Sequence, residues 1–185
     1  MIIKKPNLSL TIACDIFLIS GVIPLEPLKE VDMEGKIKVL FICRHNSGRS
    51  QMAEAFLREF GGNRFEVESA GMAPAEAINP LVVEVMREEG IDLSGKKPQS
   101  VMQMFRDGKL YSHVITVCHE EETKCPVFPG ITRRWHRPFP DPARVSGSRE
   151  EQLTLVRKIR DDIKRWILAA IDDNRTSTGF DLSFD

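Results

Sequence analysis

The stretch Val39-Leu40-Phe41-Ile42-Cys43-Arg44-His45-Asn46-Ser47-Gly48-Arg49-Ser50 decides the architecture. It opens inside a short apolar, β-rich run, Ile37 to Ile42, of the kind that forms a parallel strand buried on both faces. That strand delivers Cys43, and Arg49 follows six residues later. Apolar residues at 52, 53, 56, 57 and 60 then share one helical face from Ser50 to Phe60, and Gly61-Gly62 ends the helix. So tight a turn between strand and helix points successive backbone N–H groups into one concavity, to which the helix adds its positive end. Arg49 supplies a planar, two-pronged donor for a tetrahedral oxyanion. The same surroundings favour thiolate over thiol, so Cys43 reads as a nucleophile, with the Ser50 hydroxyl as a further donor to its sulfur. A buried inert cysteine followed by a solvated arginine would need none of this arrangement.

Outward from this stretch, strands and helices alternate. Phe65 to Ser69 reads as a second strand, followed by the loop Ala70-Gly71-Met72-Ala73-Pro74. Asn79-Pro80 is a helix start, an N-cap with proline at the first helical position, and that helix runs to Gly90. Ser100 to Phe105 predicts a short helix, and Tyr111 to Val117 a strand that again ends at a cysteine, Cys118. A Pro- and Arg-rich connection, 126–142, holds one more extended piece at Thr132 to Trp135. Glu150 to Ile171 carries Leu153, Val156, Ile159, Ile163, Trp166 and Ile167 on one stripe of a long helix. The pattern predicts an α/β fold: a single domain with an open parallel four-stranded sheet, helices on both faces and right-handed crossovers. Ligands of such sheets lie beyond the carboxyl ends of the strands, where Cys43 and Cys118 both fall.

A chain of 185 residues with formal net charge −1, 42% apolar and 29% charged, suits one globular domain and does not suit nucleic-acid binding by charge. Four cysteines, at 14, 43, 118 and 125, are too few and too scattered for a disulfide-stapled scaffold, so a reducing, cytoplasmic setting is expected. Lys4 and Lys5 precede an apolar run from Leu8 to Leu25, but Asp15 interrupts it and no small-residue cleavage pattern follows. Residues 1–33 are therefore read as an extension preceding a domain at 34–172, with an alternative start at Met33 and a polar tail at 173–185. Cys14 receives no role, and no membrane association is expected.

The stretch from Phe41 to Phe60 resembles the low-molecular-weight phosphatase and arsenate reductase superfamily, whose loop reads Cys-x-x-Asn-x-x-Arg-Ser. Asn46, Arg49, Ser50 and Gln51-Met52-Ala53-Glu54-Ala55 match, as do Ser69-Ala70-Gly71 and Asp141-Pro142, and the likeness covers about Lys36 to Ile171. It implies the low-molecular-weight phosphatase fold and an oxyanion site made by Arg44, His45, Asn46, Ser47, Gly48, Arg49 and Ser50. It also implies that Asp141 is a mobile acid that protonates the departing oxygen, although an Asp-Pro pair alone would be read as a turn. Some relatives hold a potassium ion at the positions of Asn46, Glu54 and Ser69; no metal or cofactor is required. Two residues depart from the pattern. His45 stands where glycine is common, a poor fit if the loop demands positive φ there, and Arg44 stands where the residue is usually small or uncharged.

A phosphatase of this kind needs one cysteine, one arginine and one acid. Here Val117-Cys118-His119-Glu120-Glu121-Glu122-Thr123-Lys124-Cys125-Pro126 adds two more cysteines, and their spacing and trailing proline resemble the thioredoxin-coupled arsenate reductases. That resemblance implies a relay. Cys43 attacks arsenic, Cys118 attacks the Cys43 sulfur to release arsenite, and Cys125 moves the disulfide to 118–125 for reduction by thioredoxin. Arsenate would be the substrate, phosphate and sulfate competing oxyanions, and the chain a monomer. If 118–125 is helical, its ends lie about 10.5 Å apart against the roughly 5.5–6 Å that a disulfide needs, so the segment must unwind on oxidation. Two alternatives stay open. One is a phosphatase acting on phosphate monoesters through a Cys43 phosphoenzyme. The other is a zinc site of Cys118, His119, Cys125 and His136, although Cys-x6-Cys is wider than the usual knuckle. The glutamate run fits a solvated face under either, and His113 reads as structural.

Overall fold

Strand β1 (Ile37–Cys43) lies inside the sheet, in the order β2-β1-β3-β4, with β2 at Phe65–Gly71, β3 at His113–Thr116 and β4 at Arg133–His136. Every pairing is parallel: Cys43 stands opposite Gly71 on one side, and Ile42 opposite Thr116 on the other. The computed structural model describes residues 35–119 and 132–173, so the extension, Cys14, residues 120–131 with Cys125, and the tail beyond 173 lie outside the described residues. Among the described residues four α-helices accompany the strands: α1 (Arg49–Gly61), α2 (Pro80–Glu88), α3 (Val101–Arg106) and α4 (Arg149–Asp173).

The alternation of β1 divides the core. Val39, Phe41 and Cys43 join the larger cluster with Met52, Phe56 and Leu57 of α1, Val82 and Met86 of α2, and the whole stripe of α4. Leu40 and Ile42 face the other way, toward Val101 and Met104 of α3. The sheet is thus covered on both faces, as the apolar run required. Phe41 meets Trp166 edge-on at 6.2 Å between ring centroids, tying β1 to α4. Ile163 and Ile167 are fully buried, and truncating such a side chain to alanine costs about 2–5 kcal/mol.

Element ends follow local chemistry. Asn79 caps α2 by accepting from the Leu81 N–H, and Pro80 takes the first helical position. This helix stops at Glu88, two residues short of the sequence expectation, because Gly90 adopts φ +77° and the Ile91 N–H folds back to the Met86 carbonyl. Strand β2 runs two residues longer than expected, since Ala70 and Gly71 continue the ladder beside Ile42 and Cys43. The far end of α2 is fixed to α4 by charge: Glu88 receives Arg157 and Arg160, and Glu89 receives Lys164.

Candidate active site

Cys43 ends β1 with only 2% of its surface exposed. Its sulfur accepts the Asn46 N–H at 3.1 Å and lies 3.0 Å from the Ser50 hydroxyl. The turn that makes this possible is at Asn46, whose φ is +50°. Sequence reasoning placed the demand for positive φ at His45. The structure moves it one residue on, to the side chain type that tolerates left-handed backbone best after glycine. Asn46 is fully buried, and its carboxamide uses all of its capacity. Its Oδ1 accepts from Gln51 Nε2 and from the Gln99 N–H, while its Nδ2 donates to Ser50 and Ser69.

A second loop shadows the first, bond for bond. The N–H groups of Met72, Ala73, Ala75 and Asn79 donate to the carbonyls of Cys43, Arg44, His45 and Ser47. With these carbonyls bonded to the second loop, the amides of the 43–49 turn other than that of Asn46, which donates to the Cys43 sulfur, are left for an anion. Gly71 is what lets the two loops meet. A Cβ there would lie 2.9 Å from the Asn46 nitrogen, 2.9 Å from the His45 carbonyl carbon and 3.0 Å from the Arg44 oxygen, all backbone atoms. Gly71→Ala is therefore expected to cost about 1–3 kcal/mol, the usual range for overpacking, measured as a lower urea midpoint at unchanged slope; a neutral result would mean that the two loops are not in register.

Gly48 precedes α1, and its carbonyl accepts from Met52, so the first N–H groups of the helix open onto the same concavity. Arg49 is buried, with Nη1 donating to the Phe139 carbonyl at 3.2 Å and Nη2 paired with the Asp141 carboxylate at 3.1 Å. Asp141 caps the short turn Pro142–Arg144 through its other oxygen. A Cβ on Gly48 would lie 2.6 Å from Pro142 Cγ, so the Asp-Pro turn sits directly against the anion loop.

Cys118 lies two residues beyond β3 and is fully buried. The Val117 N–H donates to the Ile42 carbonyl, which brings Cys118 beside the strand end that carries Cys43. Arg44 is exposed at the rim, and His45 is anchored outward, its Nδ1 3.0 Å from the Ala73 carbonyl oxygen. His113 stacks on Trp135 at 5.0 Å, and His136 Nδ1 lies 2.7 Å from the Thr116 hydroxyl, so both serve the β3–β4 edge. Among the described residues no group of three or more His, Cys, Asp or Glu could hold a metal ion.

Glu54 and Ser69 do converge with Asn46: the Ser69 hydroxyl donates to Glu54 at 2.6 Å and receives Asn46 Nδ2 at 2.8 Å. Sequence reasoning missed the third party. The Lys96 ammonium lies 2.6 Å from Glu54, and Arg58 pairs with the same oxygen, so the buried carboxylate already carries two cations. In the sequence Lys96 sits in Gly95-Lys96-Lys97-Pro98, which resembles any solvated turn.

A buried cysteine, the turn that follows it, an arginine at a helix start and an Asp-Pro turn thus meet at the carboxyl end of β1. The family described as low molecular weight phosphotyrosine protein phosphatase matches residues 38–176, and the chain belongs to that family. The arsenate reductase of Bacillus subtilis (strain 168) is 38% identical over 132 residues, 71% of this chain and 91% of that protein. The crystal structure of arsenate reductase from Archaeoglobus fulgidus DSM 4304 superposes with a TM-score of 0.59 at 27% identity, covering 72% of this chain and 98% of that one. A thioredoxin-dependent arsenate reductase from Corynebacterium glutamicum gives a TM-score of 0.52 at 29% identity, covering 72% and 63%. No helix among the described residues is long and apolar enough to cross a membrane.

Proposed function

We propose that this chain reduces arsenate to arsenite through Cys43, Cys118 and Cys125 in turn, with thioredoxin as the electron donor. The carrying observation is the second buried cysteine, Cys118, at the strand end next to Cys43. Hydrolysis of a phosphate ester, the alternative that the same loop would serve, has no use for it. The names of the relatives support arsenate as substrate, and one of them supports thioredoxin.

In this reading the oxyanion enters the 43–49 turn and is held by its amides and by Arg49, which exchanges part of its hold on Phe139 and Asp141 for the substrate. The Cys43 thiolate forms a sulfur–arsenic bond, and an arsenate oxygen leaves as water with a proton from Asp141. The Cys118 thiolate then attacks the Cys43 sulfur. The sulfur–sulfur bond forms, the sulfur–arsenic bond breaks, and its electron pair stays on arsenic, which departs as arsenite. Two thiolates have supplied the two electrons. Cys125, outside the described residues, would attack Cys118, free Cys43 and present the 118–125 disulfide to the dithiol of thioredoxin. Arsenate, with phosphate and sulfate as competitors, is bound without a cofactor or metal. Glu54 draws its compensating charge from Lys96 and Arg58.

The deciding experiment is arsenate-dependent NADPH oxidation with thioredoxin reductase and thioredoxin, with a glutaredoxin system in parallel. Turnover with thioredoxin alone supports the full reading, turnover with glutaredoxin alone keeps the reductase and replaces its donor, and no turnover with either defeats it. Arg49→Lys keeps the charge and loses the planar fork. Charge-assisted hydrogen bonds contribute about 1.5–3 kcal/mol each, so kcat/KM for arsenate is expected to fall roughly 10- to 100-fold; a value near that of the unaltered chain would show that the loop does not hold the oxyanion through Arg49.

A further inference from the structure

We propose that Asn79 is a positioning residue that fastens the Asp141–Pro142 turn onto the anion loop, an inference that rests on Asp141 acting as the acid. Asn79 stands where three elements meet, and its polar groups reach all three. Its backbone N–H donates to Ser47 of the anion loop at 2.9 Å. Its side-chain oxygen accepts the Leu81 N–H at 2.9 Å and so begins α2. Its side-chain nitrogen reaches the Pro142 carbonyl at 3.4 Å. The orientation of the amide is fixed by the cap, because a flipped carboxamide would set two donors against each other at Leu81 and two acceptors at Pro142.

Packing converges on the same point. Gly48 has Pro142 on one side and Val82 of α2 on the other, both close to where its Cβ would be. The Asp-Pro turn is thereby gripped twice, by contact at Gly48 and by the Asn79 amide at its carbonyl. Among the described residues Asp141 itself pairs with Arg49 and caps its own turn, and Arg49 must partly release it when an oxyanion arrives. The Asn79 amide is a polar grip that does not change hands at that moment. It therefore keeps the carboxyl group in range while Arg49 turns to the substrate.

Capping and clamping separate by substitution. Asn79→Ser keeps an oxygen that caps α2 and loses the amide donor, and Asn79→Asp does the same; Asn79→Ala loses both. In Asn79→Ser, hydrogen exchange across residues 139–146 is expected to quicken about tenfold, as for loss of one net hydrogen bond, while residues 80–88 keep their protection. Arsenate turnover should fall about tenfold for the same reason, and the phosphate concentration that half-protects Cys43 from alkylation should stay within about twofold. In the Asp141→Asn background Asn79→Ser should add no further loss. Unchanged exchange at 139–146, or losses that multiply with Asp141→Asn, would overturn the clamp. Should Asn79→Ser not fold, Asn79→Asp is read by the same measures. The exchange and phosphate-protection arms need no turnover, so they decide on the clamp even if arsenate proves not to be the substrate.

Discussion

Cys43→Ser is expected to eliminate arsenate reduction and any hydrolysis of p-nitrophenyl phosphate together, by a factor on the order of 10⁴–10⁶, as when a covalent nucleophile is removed elsewhere. Both reactions would begin with the same sulfur, and the surroundings are built for it. The Asn46 N–H and the Ser50 hydroxyl converge on one atom at 3.1 and 3.0 Å. A serine hydroxyl in that place would still accept those bonds, so folding should be little changed. It would not reach its anionic form at neutral pH, and an oxygen–arsenic bond offers no sulfur for the next thiolate to attack. Initial rates for the two substrates, together with a thermal melt, test this. Retention of either activity would place the nucleophile elsewhere.

Cys118→Ser is expected to do something more selective. Arsenate reduction should fall to background while phosphate-ester hydrolysis persists, because hydrolysis would call only on Cys43, Arg49 and Asp141. Cys118 is fully buried beside the β1 end, and serine is close in volume, so a loss confined to reduction would not come from lost packing. Cys125→Ser should differ again. The two electrons leave with the first disulfide, and only recycling needs the third thiol, so this variant should release about one arsenite per chain and then stop. Mass spectrometry of unreduced peptides should then find Cys43 joined to Cys118. Repeated turnover of Cys125→Ser with thioredoxin as sole reductant would show that the first disulfide is itself accessible and that the shuttle is wrong. Full reduction by Cys118→Ser would return the phosphatase reading to first place.

What could be read from the sequence was whatever side chains announce at fixed spacing. The apolar run into Cys43, the stripe of α4 and the Asn79-Pro80 cap each follow from a local rule, and the elements stand where those rules put them. A role for Asp141 was legible only through family resemblance, and its pairing with Arg49 was not foreseen. The main-chain contacts between the two loops were not legible. The bonds from 72–79 to 43–47 join backbone to backbone, and no residue type marks them. Gly71 looked like part of a loop and proved to be the end of a strand, selected by the atoms of the neighbouring turn. Lys96 on Glu54 was hidden because lysine before Lys-Pro is ordinary at surfaces, and nothing local shows that its ammonium reaches a buried acid.

The loop that shadows the anion turn carries a consequence for how this protein could vary. Because its donors are amides, Ala73 and Ala75 could exchange side chains without losing those bonds, whereas the Met72 side chain also packs on the cluster around Leu40 and Ile42. Proline alone would be barred from those positions, since it removes the donor. The chain already obeys that rule: its one proline in the segment, Pro74, occupies a place from which no amide bond to the turn is drawn. A mutational scan of positions 73 and 75 would thus be nearly silent in every column but one.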